Sequence, residues 1–178
     1  MTEDEKAIEA AREKAAMMKL ERIPLSAHRN PIQRFFRQSG LNWEKLGHTP
    51  EVEKAVLAYG RPFIGIARPN GFRLRAPKNC YMNAAVVAVD QGRGTYVEGL
   101  AIGRGGLMPH AWLTLDGTNA VDITWREPAG ECQYFGIPFS AEVLRKFTRR
   151  TRTYGPLLKR NELRQVLIDA GLSQTTAV

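Results

Sequence analysis

The amino-acid sequence predicts one α+β domain, on three observations. The chain has 178 residues, the length of a single domain. Apolar residues recur at helical spacing towards both ends. Between them, from residue 94 to 139, the apolar period falls to two. Helices, then a meander of strands, then helices again is the order of an α+β fold.

Taken in order, residues 3–22 read as a helix, with Ile8, Ala11, Ala15 and Met18 on one face and Pro24 as the stop. "NPIQRFFRQSG" predicts a second over 30–39, with Asn30 as cap and Pro31 in the first turn. "TPEVEKAVLAYG" repeats the plan over 49–60, with Val52, Val56 and Leu57 on one face. These helices form the expected N-terminal layer, 1–70. "ARPNGFRLRAPKN" is a loop by its Pro, Gly and Arg content. "CYMNAAVVAVD" is short, apolar and Ala-rich, as a buried helix would be. Asn79 is placed to cap it, with Cys80 in the first turn. "GTYVEGLAIG", "HAWLTLD" and "NAVDITW" read as three strands joined by Gly-containing turns, and "CQYFGIPFS" as a further edge strand. "SAEVLRKF", capped by Ser140, and "NELRQVLIDAG", capped by Asn161 and closed by Gly171, complete a C-terminal helical region, 140–172. The tail "SQTTAV" carries no periodic pattern.

Composition narrows the function classes. Hydrophobic residues make up 43% and charged residues 25%, as in an ordinary globular protein. No apolar run approaches the roughly 20 residues that span a bilayer, and "MTEDEKAIEAAREK" lacks the character of a secretory signal, so the expected location is cytoplasmic with no membrane partner. The two cysteines, Cys80 and Cys132, make no close-spaced ligand set, so neither metal nor organic cofactor is expected. The net charge is +8, concentrated towards the C-terminus around "RKFTRRTRTY". Residues 145–164 are therefore a candidate contact for nucleic acid or an acidic protein, against the alternative of a solvated face.

Three residues carry the sharper chemistry. A thiol at a helix N-terminus beside an imidazole is activated as a nucleophile, which singles out Cys80. His110 opens an apolar strand as a candidate base, whereas His28 and His48 sit in polar turns. Asp122, inside "AVDIT", is a costly place for an unpaired carboxylate and would orient the imidazole. Its rival Asp116 belongs to a "DG" turn and needs no such role. The pairing sets a condition on the hairpin. A two-residue turn at Asp116-Gly117 would put His110 and Asp122 on opposite faces, whereas a three-residue loop would pair Trp112 with Asp122 and leave His110 as its diagonal neighbour.

"NCYMNAAVV", "YVEGLA", "HAWLTLDG" and "VDITW" together resemble the papain-like cysteine enzyme superfamily, and within it the transglutaminase-like proteins. The resemblance covers residues 77–139, about a third of the chain. It implies a catalytic core there, a nucleophile at the N-terminus of a central helix packed on an antiparallel sheet, with Cys80, His110 and Asp122 as nucleophile, base and orienter. Two departures stand out: Asp122 is followed by Ile123 where the family commonly has Pro, and Leu74 stands where the papain branch has an oxyanion-hole Gln. The oxyanion would then rest on the Cys80 N–H and a side chain such as Asn79 or Asn83. Glu98, in mid-strand, would either pair with an arginine or line the site, and Trp112 would wall it.

The function expected is thiol-dependent hydrolysis or acyl transfer at an amide or ester bond of a protein, peptide or small substrate. The alternatives are a non-catalytic binding module that uses the basic C-terminal surface, and a redox pairing of Cys80 with Cys132, which needs their Cα atoms within about 7 Å.

Overall fold

The computed structural model describes residues 50–103, 106–126 and 132–172. The expected helices at 3–22 and 30–39, His28, His48 and the tail lie outside them, as does most of the expected N-terminal layer.

Pro50–Tyr59 forms helix α1, as its first-turn proline and its periodicity dictate. Gly60 ends it in close quarters: a Cβ there would lie 2.4 Å from the Val56 carbonyl oxygen. Strand β1, Arg61–Ile66, follows at once. After the loop comes helix α2, Cys80–Val89. Strands β2 (Thr95–Gly103), β3 (Gly106–Thr114), β4 (Asn119–Val121) and β5 (Gln133–Phe139) come next, then helices α3 (Ala141–Thr151) and α4 (Arg160–Asp169). Ser140 caps α3, its hydroxyl accepting from the Val143 N–H. Helix α4 begins two residues before expected, with Lys159 rather than Asn161 at the cap. It closes as expected on Gly171 at φ +68°, where Leu172 N–H reaches the Leu167 carbonyl.

The strands close into a five-stranded mixed barrel in the order β1-β4-β3-β2-β5. This overturns the α+β, papain-like or transglutaminase-like core of a helix on an open antiparallel sheet. The reason is β1. "RPFIGI" carries Pro62 and Gly65, and only Phe63 in it is buried, so no strand pattern announces it. Yet β1 pairs antiparallel with β5 through Phe63↔Tyr134 and parallel with β4 through Gly65↔Ala120. The expected edge strand β5 consequently has neighbours on both sides, β1 and β2, and no edge remains.

Alternation along the strands divides the apolar residues in two. Tyr96, Ala111, Leu113, Ile137 and Phe139 point outward and pack under the helices with Ala84, Ala85, Leu144 and Phe147. Phe63, Val97, Trp112, Ala120, Cys132 and Tyr134 form a second cluster from strand residues and their flank, inside the barrel. Five strands leave little room there, and Gly136 makes it: a Cβ at that position would lie 2.7 Å from the Trp112 ring. Cys80 belongs to the outer cluster and Cys132 to the inner one, and no disulfide joins them, so the redox pairing is not formed.

Candidate active site

The β3–β4 hairpin sets the geometry. Leu113 pairs with Val121, so continuing the register puts Leu115 opposite Asn119 and leaves Asp116, Gly117 and Thr118 as a three-residue loop. Asp116 shapes that loop by accepting from the N–H groups of Thr118 (2.9 Å) and Asn119 (2.8 Å), while Gly117 takes φ +81°. The same register carries Trp112 to Asp122, with His110 one diagonal step away. His110 Nε2 and Asp122 Oδ2 are 2.7 Å apart, in a buried pair.

Asp122 is fully engaged. Its Oδ2 also accepts the Tyr134 hydroxyl at 3.0 Å, and its Oδ1 accepts the N–H groups of Thr124 (2.7 Å) and Trp125 (3.0 Å). Burial works against a charge here, but His110 and the two N–H groups hold the Asp122 carboxyl below the usual range. The phenol of Tyr134 is pushed up by burial and by the Asp122 charge, so it stays a donor.

With Nε2 on Asp122, the His110 ring has Nδ1 left, and the Cys80 side chain lies close enough to favour the charged ring. Burial disfavours the imidazolium, yet Asp122 and Cys80 outweigh it and push the His110 pKa up to about 9. Trp125 stacks on His110 with centroids 4.1 Å apart and an interplanar angle of 23°. Half-buried itself, it lies between the imidazole and solvent.

The loop before α2 is tied to the same place. Arg75 N–H donates to the Ile123 carbonyl (2.7 Å), and Arg68 Nη1 reaches the Trp125 carbonyl (3.0 Å). Asn83 Nδ2 donates to both the Ala76 carbonyl (2.8 Å) and Thr124 Oγ1 (3.0 Å). Both Asn83 amide hydrogens are thereby spent, so it braces Cys80 against the Asp122 segment and is not an oxyanion donor. Asn79 sits at the N-cap, as expected, but its side chain makes no capping bond and is exposed. Lys78, just before it, is held at φ +65°, an unfavourable region for a side chain of its type.

Glu98 lies elsewhere. It is 2% exposed, and its oxygens accept the Tyr96 hydroxyl (2.6 Å) and the N–H groups of Leu157 and Leu158 (2.8 Å each). Among the described residues it pairs with no arginine, and its bonds fasten the segment leading into α4. Trp112 is wholly buried inside the barrel against Phe63 and Tyr134, and its indole Nε1 has no partner among the described residues. It supports His110 from within, with ring centroids 6.4 Å apart, and does not face substrate.

Three contributors escaped the sequence reading: Tyr134, Trp125 and the Thr124 N–H. Trp125 could have been found, since an indole three residues after a candidate orienting aspartate is a natural cover for the imidazole. Among the described residues, no cluster of three or more His, Cys, Asp or Glu is placed to hold a metal ion. None of their helices is long and apolar enough to cross a membrane. No protein-family model matches the chain, and no curated protein or solved structure matches it either.

Proposed function

We propose that the protein is a thiol-dependent acyl-transfer enzyme acting on an amide or ester bond. The observation that carries this reading is the buried His110–Asp122 pair at 2.7 Å, with Cys80 at the start of α2 close enough to favour the charged imidazole. In the reaction, the Cys80 thiolate attacks the carbonyl carbon, and the oxyanion faces the Cys80 N–H at the start of α2 and the uncommitted Asn79 amide. The His110 imidazolium gives its proton to the leaving amine or alcohol as the carbon–heteroatom bond breaks. Water or an amine then attacks the acyl-enzyme, losing its proton to His110, and the thiolate leaves. Asp122 holds the ring tautomer throughout. The order Cys, His, Asp resembles that of the transglutaminase-like proteins, and kinship is proposed for the site alone, since the barrel is not that family's core.

The test is the pH dependence of iodoacetamide alkylation, with Cys80 and Cys132 resolved by mass spectrometry, in the wild type and in His110→Ala and His110→Gln. Cys80 should be alkylated faster than an ordinary free thiol at neutral pH and slow in both variants. A Cys80 that reacts no faster than a free thiol in the folded wild type would sink the proposal.

A second reading has one observation behind it. A cleft of about 300 Å³ between α2 and α3 is lined by Asp90, Arg145, Arg149, Arg152 and Tyr154 among others. The rest of the basic run is partly neutralised, Arg150 by Glu162 and Asp169 and Lys146 by Glu142. Contact with nucleic acid or an acidic protein would centre on that cleft rather than on the whole of 145–164.

A further inference from the structure

The segments that frame the candidate site carry charge of one sign. Residues 67–79, between β1 and Cys80, hold Arg68, Arg73, Arg75 and Lys78 and no acid. Arg68 and Arg75 are tied by hydrogen bonds to the segment that carries Asp122, and Arg73 and Lys78 lie close to them in sequence. Arg68 Nη1 lies 3.4 Å from the Asp122 carbonyl oxygen and 3.0 Å from that of Trp125. Arg75 is hydrogen-bonded through its N–H to Ile123, the residue after Asp122, and Arg73 lies two residues before it. Lys78 precedes Cys80 by two residues, and Arg126 follows Trp125, the ring stacked on His110. Arg73, Lys78 and Arg126 are exposed and, among the described residues, make no ion pair. Glu127, next in sequence, lies outside the described residues.

Among the described residues the acid of the site itself, Asp122, does not offset that charge, since it is spent on four donors. Surface cations without an ion pair among the described residues raise the local concentration of anions, and the positive end of α2 adds to them.

We infer that the substrate of this site is anionic, with a carboxylate or phosphate group close to the reacting carbonyl. The inference rests on the acyl-transfer reading and names its substrate class. An acidic peptide side chain, a small dicarboxylic acid derivative or a phosphorylated acyl carrier would each satisfy it, whereas a cationic substrate would be repelled.

Iodoacetate and iodoacetamide test this without a known substrate, because the same thiolate displaces iodide from each and only iodoacetate carries a charge. The ratio of their rates at Cys80 is measured in the wild type and in the charge reversals Arg73→Glu, Lys78→Glu and Arg126→Glu. The two reversals in the 67–79 loop should together lower the ratio roughly three- to tenfold at low salt, and salt near 1 M should erase most of that difference. The iodoacetamide rate should stay unchanged, which also shows that the variants are folded. Protection of Cys80 by succinate against protection by inorganic phosphate, at equal ionic strength, then separates a carboxylate from a phosphate substrate. A ratio unmoved by all three reversals, with fast iodoacetamide alkylation retained, overturns the inference and spares the enzyme reading. Slow reaction with iodoacetamide itself overturns the enzyme reading.

Discussion

Asp122 and Glu98 are both buried carboxylates on or beside barrel strands, and both accept hydrogen bonds from a tyrosine and two backbone N–H groups. They differ in one partner. Asp122 faces an imidazole at 2.7 Å, whereas Glu98 makes no ion pair among the described residues and feels Lys159 only through space. The consequence is opposite titration. Asp122 is held below the carboxylate range, and burial pushes Glu98 up to about 6. Burial and hydrogen bonding alone make a strut, and the adjoining imidazole and thiol are what make a candidate for chemistry.

Removing the charge from Asp122 should have the largest effect. Asp122→Asn keeps the acceptor for Thr124 and Trp125 but turns an N–H towards His110 Nε2, forcing the ring proton onto the nitrogen meant for Cys80. The His110 pKa should fall from about 9, read by imidazole NMR titration. Turnover should drop on the order of 10²–10⁴-fold. Asp122→Ala would further leave the His110, Tyr134 and backbone donors unpaired, at a stability cost of about 3–5 kcal/mol. An Asn variant with wild-type Cys80 reactivity would make Asp122 no different from Glu98.

Glu98→Gln probes the other side of the comparison. A carboxyl whose folded pKa is about 6 against 4.5 unfolded binds its proton more tightly when folded. Its contribution to stability is therefore lost as pH rises from 4.5 to 6, by about 2 kcal/mol. The wild type should show that loss in urea midpoints, and Glu98→Gln should flatten it. The His110–Asp122 pair behaves otherwise: His110 stabilises below its unfolded value of 6.5 and loses that as pH rises towards 9. Cys80 alkylation should be little changed in Glu98→Gln, since Glu98 fastens a segment some sixty residues away and touches neither Cys80 nor His110 through a hydrogen bond.

The difference between these two acids was only partly legible in the sequence. "HAWLTLDGTNAVD" contained the turn chemistry, the alternation and the condition that a three-residue loop would join His110 to Asp122, and that loop is present. Cys80 was legible because helix starts are written locally, in "KNCYMNAA". Glu98 was misread because its partners, Leu157 and Leu158, donate backbone N–H groups that no side-chain pattern records. The barrel was missed for a related reason. β1 has too few buried residues to show a period, and β4 is three residues long. Closure depends on pairings between strands far apart in the chain, which periodicity does not encode.

Tyr134→Phe should have the smallest effect and the most discriminating one. Tyr134 sits on β5, and its hydroxyl shares Oδ2 of Asp122 with His110. Losing that bond should cost about 1.5–3 kcal/mol of stability, as for a hydrogen bond to a charged group. A merely structural role would end there. If Tyr134 positions and tempers Asp122, its loss concentrates more of the carboxylate charge on His110 and favours the imidazolium. The His110 titration, read by imidazole NMR, should then move above about 9, while the Cys80 alkylation rate at neutral pH changes only a few-fold, since the geometry of the pair is retained. The same substitution at Tyr96, which donates to Glu98, should lower stability comparably and leave that titration in place. Equal pH profiles for the two phenylalanine variants would mean that the tyrosine beside Asp122 packs the barrel and does no more.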